Sequence, residues 1–337
     1  MPKKPLWKLS DGVTYSSLST WVDCPEQFSL QWIDGLTPKK LSEPLEFGSV
    51  MHYAIEHQDK GRPEEVIHRI TTHYKKYRGK TLVNTKEKDA LNTLLDLAEV
   101  VFPEYCKYWS DDDAALQWVG KEEKFSVPYT LPTPQGNREL TLRGMRDGLY
   151  RAKNTFGLFE TKTKGQISDN TIMDSLHRDM QTMMYLFATY LELGEYANEI
   201  KYNVIRRPGL YRRKGEESVA YVRRCKEDII SRPDFYFRRY RVTILQEDIT
   251  KFVKETLNPT LVLFVQWWDS IKKNPLKRFE SPYHHLNSIA LVGRYGKSRM
   301  WDAVHNNFSP YYVRDTIYPE LAESFQVTWD NTQSQVS

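Results

Sequence analysis

Apolar residues fall at helical spacing over Tyr15 to Trp32, Glu46 to Gln58, Pro63 to Arg78 and Lys86 to Trp109, the last through Leu91, Leu94, Leu95, Leu97 and Val101. The acidic run Asp111-Asp112-Asp113 is expected to end that helix. Strand-like runs follow at Glu122 to Tyr129, Leu140 to Arg151 and Thr155 to Lys162, then a helix from about Asp169 to Leu193 and a strand at Lys201 to Arg206. Ser218 to Arg224 and Asp234 to Ile244 read as an added hairpin, and Glu247 to Lys273, with Trp267 and Trp268, as a long amphipathic helix. Helices, then strands broken by a helix, predict an α/β core with a helical insert at about 60–118. The expected layout is a lead over 1–13, a domain over 14–280, a C-terminal extension over 281–325 packed on the core, and a flexible polar tail over 326–337.

The chemistry concentrates at one hairpin. Gly144 to Ala152 and Phe156 to Lys162 are joined by the polar turn Lys153-Asn154-Thr155. Side chains alternate along a strand, so Glu160 and Lys162 share a face while Thr161 points away. Asp147 on the neighbouring strand can lie beside Glu160, and two adjacent carboxylates repel unless a cation stands between them. Mg²⁺ or Mn²⁺ suits carboxylate oxygens and can promote phosphodiester hydrolysis, with Lys162 orienting water or neutralising charge on the phosphorane. The competing reading is a solvated cross-strand pair. Leu158 and Phe159 run directly into the acid, which fits a central strand ending in a site better than a surface hairpin.

The ordered motifs resemble the RecB-like branch of the PD-(D/E)XK nucleases. Tyr15-Ser-Ser-Leu-Ser-Thr-Trp-Val-Asp-Cys24-Pro25-Glu-Gln-Phe28 is similar to that family's opening helix, and Phe47-Gly48-Ser-Val-Met-His52 to its G-x-x-x-H motif. Gly144-x-x-Asp147 and Glu160-Thr-Lys162 resemble the acid and lysine motifs, and Gln181-Thr-Met-Met-Tyr185 the Q-x-x-x-Y helix, over roughly residues 14–207. The resemblance implies a restriction-endonuclease-like core with a mixed central sheet and flanking helices. It implies metal ligation by His52, Asp147, Glu160 and the Thr161 carbonyl, a catalytic Lys162, and a site lined by Gln181 and Tyr185. Each has a plainer alternative: a lone helical histidine is often a packing residue, and a tyrosine among Met180, Met183, Met184, Leu186 and Phe187 is often core.

Several such relatives bind an iron–sulfur cluster through the Cys-Pro cysteine and three later ones. The chain has only Cys24, Cys106 and Cys225, and four thiolates are the usual requirement, so no cluster is expected. Cys24 then reads as a packed residue, and His284-His285 as exposed or DNA-proximal.

Three cysteines give no disulfide framework, no apolar run approaches a membrane span, and Met1-Pro-Lys-Lys-Pro-Leu-Trp lacks a hydrophobic leader; a cytoplasmic enzyme is expected. Net charge is only +4, yet Lys201 to Arg241 holds thirteen Lys and Arg against five Asp and Glu, interleaved with seven aromatic residues. Cations for a phosphate backbone and flat rings for unpaired bases point to single-stranded DNA or DNA ends. Arg206, Arg207, Arg212, Arg213 and Lys214 are the expected contacts, near turns at Pro208-Gly209 and Lys214-Gly215. No G-x-x-x-x-G-K-[ST] motif occurs, so unwinding would need a helicase or recombination partner. The sequence points to a metal-dependent exonuclease; the alternatives are a catalytically silent DNA-binding scaffold and a structure-selective endonuclease.

Overall fold

The computed structural model describes residues 7–38, 42–80, 84–275 and 312–314, with Leu82 and Lys277. Within these, the strands are β1 (Val13–Thr14), β2 (Leu36–Pro38), β3 (Gln117–Thr133), β4 (Gly136–Ala152), β5 (Thr155–Lys164), β6 (Glu199–Arg206), β7 (Phe237–Thr243) and β8 (Tyr312–Arg314). The helices are α1 (Tyr15–Asp23), α2 (Pro25–Phe28), α3 (Glu43–Glu56), α4 (Pro63–Arg78), α5 (Thr85–Tyr108), α6 (Ser110–Ala114), α7 (Asp169–Leu176), α8 (Met180–Leu193), α9 (Ser218–Ser231), α10 (Pro233–Tyr236), α11 (Gln246–Phe252) and α12 (Asn258–Lys273). The central sheet is mixed, in the order β1-β4-β5-β6-β7 with β3 also on β4. The chain β4-β5 is antiparallel, β5-β6 parallel through α7 and α8, and β6-β7 antiparallel.

One face of the sheet packs Leu142, Leu158, Tyr202, Val204 and Val242 against α1, α8 and α12. The other buries Ile205 and Phe237 against α3, α4 and α5, so the helical insert forms a second core. A sheet covered on both faces explains the nearly unbroken burial of β5 and β6.

Four expectations change. The helix from Tyr15 breaks at Cys24, which leaves α1 and caps α2 by accepting from the Gln27 N–H at 3.4 Å, with Pro25 as first helical residue. The helix expected over Asp169 to Leu193 is two helices, because Asp179 caps α8 by accepting from the Thr182 N–H at 2.8 Å. Asp111 to Asp113 do not simply stop α5; they lie in α6, whose side chains turn back to the sheet. Ser218 to Arg224 belongs to α9, not to a hairpin. Its buried residues Tyr221, Cys225 and Ile229 recur every four positions, and β7 pairs with β6 instead. The calls on 1–6 and on most of 281–337, including His284 and His285, lie outside the described residues.

Glu26 in α2 is buried, and among the described residues neither carboxylate oxygen has a partner. Burial pushes its carboxyl up to about 7. A carboxyl whose folded value exceeds its unfolded one binds its proton more tightly when folded. Stability therefore falls as pH rises from the ordinary glutamate range to about 7, then levels. Glu26→Met removes this dependence. The variant should gain on the wild type by about 2–3 kcal/mol between pH 4 and pH 8 in urea melts, and a pH-independent difference would contradict it.

Candidate active site

The site forms where the β4 ladder changes partner. β1 pairs with Leu142 and Arg143, β5 begins pairing at Gly148, and among the described residues Gly144 to Asp147 have only β3 alongside. The Thr161 N–H lies past the last β4-β5 pair, Gly148 with Phe159, and donates instead to Asp147 Oδ2 at 2.6 Å. Glu160 sits next to it, fully buried; its Oε1 accepts from Lys162 Nζ, and its Oε2 has no partner among the described residues. Lys162 Nζ also donates to Gln181 Oε1 at 2.8 Å, from the first turn of α8.

Close approaches demand the motif glycines. A Cβ on Gly48 would lie 3.0 Å from Thr163 Oγ1, so its absence lets α3 lie against β5 and carry His52 toward the acids one turn later. A Cβ on Gly144 would meet the Phe125 ring at 2.6 Å and Tyr185 at 3.0 Å. Tyr185 packs edge-on to Phe125, which accounts for its burial beside the site. Arg146 holds α8 in place by donating to Thr189 Oγ1 at 2.9 Å and pairing with Glu192.

His52 Nδ1 lies 3.5 Å from Glu122 Oε1 and 3.6 Å from Asp147 Oδ2. The ligating atoms of His52, Glu122 and Asp147 all lie within 4.8 Å of one another. Glu122 was not among the expected residues. It falls between the β3-β4 pairs Lys121 with Gly148 and Glu123 with Arg146, which places it opposite Asp147. Its φ of 48° is left-handed, a strain of about 1–3 kcal/mol for a residue with a side chain. Counting back along the hairpin from its turn, where Thr133 pairs with Gly136, reaches the same alignment from sequence alone. Glu56 was also missed, although it follows His52 by one helical turn.

The electrostatics report crowded carboxylates. Burial raises Glu160, Asp147 raises it further and Lys162 pulls it back, leaving it at about 7. Burial likewise raises Asp147 against the opposing pull of His52. Glu56 stands at about 7 through burial and the nearby Glu122. Burial works against a charged His52, but Asp147 and Glu122 outweigh it and hold the imidazole at about 9. Lys162 resists the same burial through Glu160 and Asp147 and is raised, so it is a fixed cation rather than a base at neutral pH. Glu160 and Asp147, both held above the ordinary carboxylate range, and the mutually close ligating atoms of His52, Glu122 and Asp147 are a donor set that a hard divalent cation would satisfy.

Against this geometry, residues 12–255 match the model of the PD-(D/E)XK nuclease superfamily. The chain belongs to that superfamily. It is a nuclease, and the acid and lysine motifs of its β4 and β5 stand within the matched region. No curated protein matches the sequence. The PD-(D/E)XK core accounts for the mixed sheet flanked by helices, and no helix among the described residues is long and apolar enough to cross a membrane.

The residues expected to bind DNA run from the last residue of β6 into the following loop and are less uniform. Arg206 stacks its guanidinium 3.8 Å from the Phe235 ring centroid, and its Nε has no partner among the described residues. Arg207 pairs with Glu43 at 3.1 Å, and Arg212 donates to the Glu216 carbonyl and Ser218 Oγ. Arg213 and Lys214 are exposed, beside a fully open Tyr211.

Proposed function

We propose that this nuclease is a RecB-like, Mg²⁺- or Mn²⁺-dependent deoxyribonuclease that acts as an exonuclease on DNA ends and carries no iron–sulfur cluster. The buried Glu160 Oε2, which has no partner among the described residues, carries the reading, because a cation would complete it. His52, Asp147, Glu160 and the Thr161 carbonyl would hold the metal, with Glu122 beside them. A divalent cation held there would polarise a phosphodiester and acidify water. Lys162 orients the attacking water or neutralises charge on the phosphorane. Gln181 fixes the ammonium by accepting its hydrogen bond at 2.8 Å, and Tyr185 walls the site.

Arg206, Arg213 and Lys214 would meet the phosphate backbone, and Tyr211 an unpaired base. Arg207 and Arg212 would contribute once released from Glu43 and Ser218. A cytoplasmic setting, with a helicase or recombination partner to unwind duplex, completes the proposal.

End dependence separates exonuclease from endonuclease. Linear single strands should disappear in Mg²⁺ while circular single strands of the same sequence persist. Equal loss of both would remove the exonuclease assignment and leave the nuclease intact.

A further inference from the structure

The sheet face turned away from Glu160 and Lys162 holds a second polar cluster, which apart from Thr161 lies outside the motifs. Directly paired residues on neighbouring strands project to the same side, and the register sets Thr161 beside Asn203 and Asn203 beside Arg239. Thr161 and Asn203 are buried, as is the Arg239 side chain. Asn203 Nδ2 donates to Thr161 Oγ1 at 3.2 Å and to the Tyr105 hydroxyl at 3.0 Å, and its Oδ1 accepts from Arg239 Nε at 3.1 Å. Arg239 donates in turn to the Tyr105 hydroxyl at 2.8 Å and to Asp113 Oδ1 at 2.6 Å. Tyr105 and Asp113 come from α5 and α6, in the helical insert.

On its other side the same Thr161 residue donates its N–H to Asp147 Oδ2, an oxygen of the His52, Glu122 and Asp147 triad. Hydrogen bonds on the two sides of Thr161, joined through that residue's own covalent frame, therefore link the insert, through the sheet, to the acids. Thr161 lies two residues past the last β4-β5 pair, so the β4 ladder does not fix its peptide opposite Asp147. Asparagine is also a poor strand former, and a buried apolar pair would fill this place without any polar group to satisfy.

We propose that Asn203, braced by Arg239 and Asp113, is a positioning residue that sets the Thr161 peptide against Asp147 and so shapes the cation site. The inference rests on the metal-dependent reading given above. It makes the insert part of the catalytic strand's support as well as a cover for the sheet.

Mn²⁺ binding by the full chain, followed by electron paramagnetic resonance of the free ion, tests it without reference to cleavage. Thr161→Val and Asn203→Leu should each weaken Mn²⁺ binding about tenfold. Because both cut the same link, the double variant should bind no more weakly than Asn203→Leu alone. Ile229→Ala, which opens the insert-side core at α9, should lower the melting temperature and leave Mn²⁺ affinity unchanged. Should Asn203→Leu fail to fold, the isosteric Thr161→Val decides by itself. Tight wild-type binding with unchanged affinity in these variants would overturn the positioning role alone. A wild type that binds no Mn²⁺ would overturn the metal-site reading and this inference with it.

Discussion

Lys162→Ala should leave a folded protein that cuts DNA on the order of a hundred to a thousand times more slowly, the usual loss when a preorganised charge is removed from the transition state. Lys162 touches both Glu160 and Gln181, and its charge is maintained by Glu160 and Asp147. The loss should appear in kcat with little change in KM, since the ammonium acts on charge that develops during the reaction. Circular dichroism and a thermal melt establish folding alongside. A folded Lys162→Ala variant with wild-type kcat would remove the lysine from the mechanism. Asp147→Ala should lose at least as much activity, because it takes away both a triad oxygen and the acceptor of the Thr161 N–H.

The second large effect is on stability. Asp112 accepts from Lys201 Nζ at 3.1 Å and also from Arg239 and Arg241. The Lys201 and Arg239 side chains are buried, and breaking a buried ion pair from one side costs about 3–5 kcal/mol. Asp112 itself is 21% exposed, so water takes up part of the loss, and Asp112→Ala is expected to cost about 2–3 kcal/mol. Urea unfolding should show a lower midpoint with an unchanged slope. A midpoint equal to the wild type's would mean that the buried cations are satisfied without Asp112.

How far the sequence disclosed the fold follows the range of the signals. Strand alternation is local, and it was enough to bring Asp147, Glu160 and Lys162 together; Gln181 and His52 were placed by the family resemblance, and they lie against Lys162 and Asp147. The same local reading mistook α9 for a strand, because Val219, Tyr221 and Val222 favour strands until the spacing of Tyr221, Cys225 and Ile229 is weighed over a longer window. Asp179 and Asp111 to Asp113 were misread for a related reason. A polar residue inside a periodic run can cap a new helix or face a buried partner, and only the tertiary structure decides which. Glu122 was within reach by counting hairpin register, although its left-handed φ was not. The cluster of Tyr105, Asp113, Asn203 and Arg239 has no local signature, since residues about a hundred positions apart meet only once the sheet has formed.

The most direct test is incubation of the purified protein with end-labelled linear single- and double-stranded DNA in Mg²⁺, Mn²⁺ or EDTA, beside Glu160→Ala. The account predicts loss of label that requires the metal, stops in EDTA and vanishes in the variant. DNA binding without cleavage in either metal would contradict it and leave the nuclease fold acting as a DNA-binding scaffold.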